Sequence, residues 1–277
     1  MTGKHQPELR KLCLHTITTK PWSLRECIQK FQAAGAGGIS IWQDAAEDVG
    51  MKETKRILAD SDLEIVSYVR GGFFPKESRG ARLKAIDNNK KLIDEAAEIG
   101  APLLVLVCGA DPQQPLSVSR DQILQGIEAL IPHAKSNNVK LGVEPLHPMY
   151  ADTRSAIVNM SQANEIVEKI DHDSIGVVID LYHLWWDDQL ESEIKRCGQK
   201  NKIFAFHTCD WKVPTNDMLH DRGLMGEGAI PTRQIRQWVE EAGFDGFIEV
   251  EIFSSEYWSL DQDIYLSKII EAYKNYA

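Results

Sequence analysis

The longest uninterrupted apolar run, residues 103–108, falls far short of the roughly 20 residues that cross a bilayer, so no membrane span is expected. The first residues, MTGKHQPELRK, lack the apolar core of a signal peptide, and a cytoplasmic protein is expected. The five cysteines, Cys13, Cys27, Cys108, Cys197 and Cys209, include no pair at the CxxC spacing of a zinc or redox site. Odd in number and scattered through core-like segments, they imply free thiols in a reducing compartment. Positive charge is short: 31 Lys and Arg against 41 Asp and Glu leave a net charge of -10. Such a chain is a poor polyanion binder, so nucleic acid is not an expected partner. A bound divalent cation would offset part of the charge. Neither GxGxxG nor GxxxxGK[ST] follows the first strand-like run, which weakens any nucleotide-binding open sheet. No linker, low-complexity tract or composition break divides the 277 residues.

What the chain has is alternation. Short apolar runs at 12–16, 38–42, 63–69, 102–108, 139–144, 175–179, 202–206 and 247–250 alternate with amphipathic stretches. The stretches read as helices are 21–34, 47–59, 79–99, 119–136, 155–170, a short one to 197, 231–242 and 260–276. Ser23, with Glu26 three residues on, has the capping-box spacing. Eight strand–helix units at this spacing predict a parallel sheet. The chain length suits one barrel of about 250 residues. The expected fold is therefore α/β, a (β/α)8 TIM barrel, as a single domain over residues 1–277. A doubly wound open sheet is the runner-up.

Four of the runs end in chemistry. Glu144, Asp180, His207 and Glu251 stand at the C-terminal ends of strand-like runs five to eight, positions that converge on one mouth in a barrel. Each has an ordinary reading alone: a strand-end acid, a helix cap, a satisfied polar residue of the barrel layer. Glu249, two residues earlier on the same strand face, rivals Glu251. Three carboxylates in a small space share protons or bind a cation. With one imidazole and no thiolate, the set suits Mn²⁺, Mg²⁺ or Co²⁺, and Mn²⁺ is expected. Two further features stand at the same face. His147 follows Glu144 by three residues, in a loop fixed by Pro145 and Pro148. The turn Arg70-Gly71-Gly72-Phe73-Phe74-Pro75 brings a cation and two aromatics.

These motifs resemble the sugar phosphate isomerase/epimerase superfamily, the xylose isomerase-like barrels that include ketose 3-epimerases and endonuclease IV. The resemblance lies in the Glu of GVEPLHP, the Asp-x-x-His of IDLYHLWW, the His of FAFHTCDW and the Glu closing GFDGFIEVEIF. It implies that Glu144, Asp180, His207 and Glu251 hold one divalent metal, and that His183 touches substrate. Endonuclease IV-like members hold several zinc ions through extra histidines. Here the other histidines of the mouth are His15, His147, His183 and His220, which disfavours DNA repair.

The longer signatures EPLHPMYADTRS, DLYHLWWD and HTCDWKVPTND with HDRGLMGEG look like the subgroup that includes the larger, metal-binding subunits of bacterial C-glycoside deglycosidases. That resemblance implies a metal-dependent lyase subunit. It would cleave the C–C glycosidic bond of 3-oxo-C-glycosides by α-proton abstraction and β-elimination, paired with a small β-rich second subunit in a hetero-oligomer. The alternative is a metal-dependent sugar isomerase or epimerase of the ketose or inosose type. The alternative of another class is a non-catalytic sugar-binding or scaffold barrel. His147 is the expected base of the lyase, and Glu144 and Glu251 those of an epimerase. Expected substrate contacts are His183, His15, Arg70, Trp185 and Arg222. Trp42, Phe73, Phe74, Trp185, Trp186 and Trp211 are expected to line a pocket or pack the rim. Ketose epimerases carry a further Glu six residues after the first ligand and an Arg six after the metal His; this chain has Tyr150 and Val213 there.

Overall fold

A computed structural model describes residues 8–277, so the start of the stretch read as lacking a signal peptide, residues 1–7, lies outside the described residues. Eight parallel strands close a barrel: β1 (Leu12–His15), β2 (Gly38–Trp42), β3 (Glu64–Gly72), β4 (Leu103–Val107), β5 (Lys140–Glu144), β6 (Ile175–Asp180), β7 (Ile203–Thr208) and β10 (Ile248–Val250). Their order around the barrel is β1-β10-β7-β6-β5-β4-β3-β2. This is the (β/α)8 barrel, not the open sheet. Two short strands, β8 (Asp210–Trp211) and β9 (Arg222–Gly223), form a separate antiparallel ribbon in the loop between β7 and β10.

The sequence of β4, all Leu and Val, is buried on both faces. Its alternate residues separate two layers. Leu104 and Leu106 join the large cluster between sheet and helices. Leu103 and Val105 join Val69, Val178 and Ala205 in a small second cluster, the barrel interior. The interior also takes polar side chains. Ser67 donates to Ser40 (2.9 Å), which donates to Glu249 (2.7 Å). The capping box at Ser23 and Glu26 forms as the spacing predicts.

The rim of β3 is built by one amide. Gly72 has φ +107°, and a Cβ there would lie 2.0 Å from the Val107 carbonyl oxygen. Only glycine fits. Asn89, buried on the helix Arg79–Ile99, accepts from the Gly72 N–H (2.6 Å) and donates to its carbonyl (2.8 Å). Asn89→Leu would leave both backbone groups without that partner. We expect a stability loss of roughly 2–4 kcal/mol, measured by urea unfolding.

Three expected helices differ. The one at 47–59 is two, Gln43–Glu47 and Met51–Ala59. Gly50, with φ +78°, turns the chain between them. The helix expected from 155 starts at Met160 under an Asn159 cap, because Ser155 is held in a bridge to Gly109. The stretch after β6 is also two helices, Leu181–Leu184 and Leu190–Gly198. Pro132 lies inside the helix Leu116–Ser136 without ending it. No helix among the described residues is long and apolar enough to cross a membrane.

Candidate metal centre

Strand register assembles the site. Asp180 ends β6 opposite His207 on β7, Glu144 ends β5, and Glu251 follows β10. Ligand-capable atoms of Glu144, Asp180, His207 and Glu251 lie within 4.8 Å of one another, and all four residues are buried. Glu249 points into the barrel below them. It accepts from Ser40 and lies 3.0 Å from His15 Nε2.

The donors fit a cation. Glu144 Oε1 and both ring nitrogens of His207 are buried without a hydrogen-bond partner among the described residues, although Oε1 lies 3.2 Å from His207 Nδ1. Atoms this close that are not aligned on each other share a centre rather than a bond. The electrostatics agree. Burial, with Glu251 and Glu144 nearby, raises the Asp180 carboxyl despite Arg222. Burial opposes charge on His207, but Glu249, Glu144 and Glu251 outweigh it and raise the imidazole. A cluster that withholds charge from one carboxyl and imposes it on an imidazole is short of positive charge.

His15 and Arg222, both expected to touch substrate, stand behind the cluster. His15 is fully buried, with Nε2 3.0 Å from Glu249 and Nδ1 3.1 Å from Glu251. Arg222 lies behind the ligands: Nη1 donates to Asp180 Oδ2 (3.0 Å) and Glu251 Oε2 (2.9 Å). Its Nη2 lies 3.2 Å from His183 Nε2. With those donors engaged on the protein, both residues position ligands. Burial raises the Glu251 carboxyl, but His15, Arg222 and His207 outweigh it and hold it well below the usual range.

Hydrogen bonds also set two tautomers. Arginine only donates, so His183 Nε2 accepts and its proton sits on Nδ1, which is buried without a partner among the described residues. Burial and Arg222 hold this ring well below its ordinary pKa, hence neutral. His147 accepts the Met149 N–H at Nδ1 (3.2 Å), capping the turn Pro148–Tyr150. Burial lowers its pKa as well. Its neutral ring therefore carries the proton on Nε2 and presents a donor, not the lone pair that a base needs.

The aromatic wall is partly as expected. His147 packs against Trp186 and Trp211, with centroids 5.7 and 5.1 Å away. Trp185, 5.7 Å from Trp211, has an indole N–H without a partner among the described residues. Arg70 stacks between Trp42 and Phe73. Phe74 is the exception: it is core, 1% exposed, over Gly126, where a Cβ would lie 2.4 Å from its ring.

Several partners carried no sequence signal. The Tyr150 and Tyr182 hydroxyls both donate to the Met218 carbonyl, so the Tyr in the place of the epimerase Glu pins the loop. Buried Asp210 accepts from the N–H groups of Trp211, Gly226 and Ile230. For Glu249 the signal existed: it shares a strand face with Glu251.

A family model described as xylose isomerase-like TIM barrel matches residues 28–273. The crystal structure of protein SMc04130 from Sinorhizobium meliloti 1021 is 40% identical, covers 97% of this chain and 99% of its own, and superimposes with a TM-score of 0.94. An inosose isomerase of Halalkalibacterium halodurans is 27% identical over 221 residues, 78% of this chain and 76% of its own length. The structure of an IolI protein with a zinc atom has a TM-score of 0.82 at 21% identity, covering 94% of this chain and 95% of its own, and shares the fold.

Proposed function

Since the chain belongs to the xylose isomerase-like TIM barrel family, we propose that this enzyme isomerises or epimerises a polyhydroxylated ketone of the inosose or ketose type. The reaction is removal of a proton beside the carbonyl and its return at another position or face. The observation that carries this reading is the buried cluster of Glu144, Asp180, His207 and Glu251. The inosose isomerase likeness favours it as well.

A divalent cation held by those four residues would polarise the ketone and acidify the neighbouring C–H. We assign Mn²⁺, with Mg²⁺ and Co²⁺ as alternatives, from the carboxylate-rich donor set. Glu144 takes and returns the proton on the carboxylate oxygen that does not hold the cation, whereas Glu251 is held by Arg222 and His15. The His183 Nδ1–H donates to a substrate oxygen. The Trp185 indole N–H and the His147 Nε2–H line the approach and orient hydroxyls. Five free, buried thiols support a cytoplasmic location.

The 3-oxo-C-glycoside lyase, ranked first by sequence motifs, becomes the second reading. His147, its expected base, has Nδ1 taken by the Met149 N–H and so carries its proton on Nε2. Turnover of a 3-oxo-C-glycoside by the chain with a coexpressed small β-rich subunit would restore it and the hetero-oligomer. The direct test is incubation of the metal-loaded enzyme with an inosose, following product isomers by NMR. His147→Gln is expected to lose less than about tenfold in kcat. A general base would cost roughly 10²–10⁴-fold, and a loss of that size would return His147 to the base role.

A further inference from the structure

A second cavity opens on the same face of the barrel, and no step described above uses it. It has a volume of 460 Å³ and runs from the end of β3 along the first half of the helix Arg79–Ile99. Small residues on the helix, Ala81 and Ala85, line it opposite the backbone of Gly71 and Gly72. Its polar lining is Arg70, Lys76, Lys84, Gln43 and Asn88, and no carboxylate is among the lining residues. In a chain of net charge -10, three cations around one cavity without an acid is a local inversion of sign.

The cations are also unspent. None of the three forms an ion pair among the described residues; Lys76 and Lys84 are exposed, and Arg70 is half-buried. The Arg70 guanidinium is partly buried, held between the rings of Trp42 and Phe73 at 5.6 and 5.2 Å, and Arg154 adds like charge nearby. A cation fixed in place without a partner carboxylate is poised for an anion from outside. Gln43 Oε1 accepts the Arg70 N–H, which leaves the amide nitrogen of Gln43 to donate. The Glu144, Glu251 and Asp44 carboxylates oppose the effect of burial and Arg154 on Arg70.

We infer that this cavity receives an anionic group, carboxylate or phosphate, carried by the substrate. The metal centre then turns over the neutral polyol ketone as well, but the acidic or phosphorylated form binds with the lower KM. The inference rests on the reading of the metal centre as the reaction site, and its test separates the two. Inorganic phosphate is titrated calorimetrically into metal-free protein, so that no bound cation contributes. Wild type should bind it, Lys84→Gln and Arg70→Gln should each weaken it at least tenfold, Lys84→Arg should restore it, and Asp180→Asn should leave it within twofold. Binding that is absent, or equal in all variants, overturns the anion site. In the second arm, KM is compared for a ketohexose phosphate and its neutral ketohexose. A preference of tenfold or more for the phosphate that collapses in Lys84→Gln supports a substrate-borne anion. No preference for the phosphate, nor for the matching keto acid, over the neutral sugar, with inorganic phosphate still binding, overturns that assignment. Phosphate binding without turnover of any ketone would refute the isomerase reading and leave the anion site standing.

Discussion

His207→Gln is expected to lose the bound divalent ion and about 10³-fold or more of kcat/KM while the barrel still folds. His207 is buried and fixed on β7, yet neither ring nitrogen forms a hydrogen bond among the described residues. Substitution therefore breaks no hydrogen bond, and glutamine fills much of the volume. What goes is the one nitrogen donor of a cluster whose other members are carboxylates. Electrophilic assistance by a metal amounts to several kcal/mol, and each 1.36 kcal/mol is tenfold in rate. Elemental analysis and circular dichroism of the purified variant separate loss of metal from loss of fold. The matched control is Glu249→Gln, one layer deeper and bonded to Ser40 and His15, which should keep its metal. Loss of metal there would make Glu249 the ligand in place of Glu251.

Arg222→Met is expected to be the most destabilising change at the mouth. The guanidinium is 3% exposed and holds Asp180, Glu251 and His183 at once. Removing one side of a buried ion pair leaves uncompensated charge and costs about 3–5 kcal/mol, read by urea unfolding. Activity should fall further than stability explains, because His183 loses the donor that fixes its tautomer. Arg222→Lys separates the two effects. A lysine restores the charge but has no planar fork with which to span both carboxylates and an imidazole. It should recover most of the stability while KM stays raised. Full recovery of KM by lysine would reduce Arg222 to a counter-charge.

The sequence made the frame legible because barrel strands repeat one physical pattern. Short runs of β-branched and apolar residues, each followed by an amphipathic stretch, permit few folds, and β2 and the helix Arg79–Ile99 fall at their expected bounds. The strand-end residues were legible for the same reason: a polar residue that closes an apolar run is visible, and the barrel brings such residues to one mouth. Arg222 and His15 were legible as members of the mouth but not in their places. For His15, at the end of β1, whether the side chain faces substrate or backs a ligand depends on Glu249 and Glu251; for Arg222 it depends on the route of the loop from Lys212 to Ala229. That route is fixed by long-range bonds to Asp210, Tyr150 and Tyr182, which no spacing in the chain encodes. The proton on His147 depends on a single backbone N–H two residues away, and its role follows from that contact rather than from its place in the motif. The pair of helices around Gly50 was missed because one glycine within an amphipathic stretch is tolerated as often as it breaks a helix.

The measurement that bears most directly on the account is exchange of solvent deuterium into an inosose at the carbon beside the carbonyl, followed by NMR. Protein stripped of metal by chelation is compared with the same protein after Mn²⁺ is restored. Exchange is expected only in the restored enzyme, and none in the His207→Gln variant under either condition. Undiminished exchange in the stripped protein, or in His207→Gln, would contradict it.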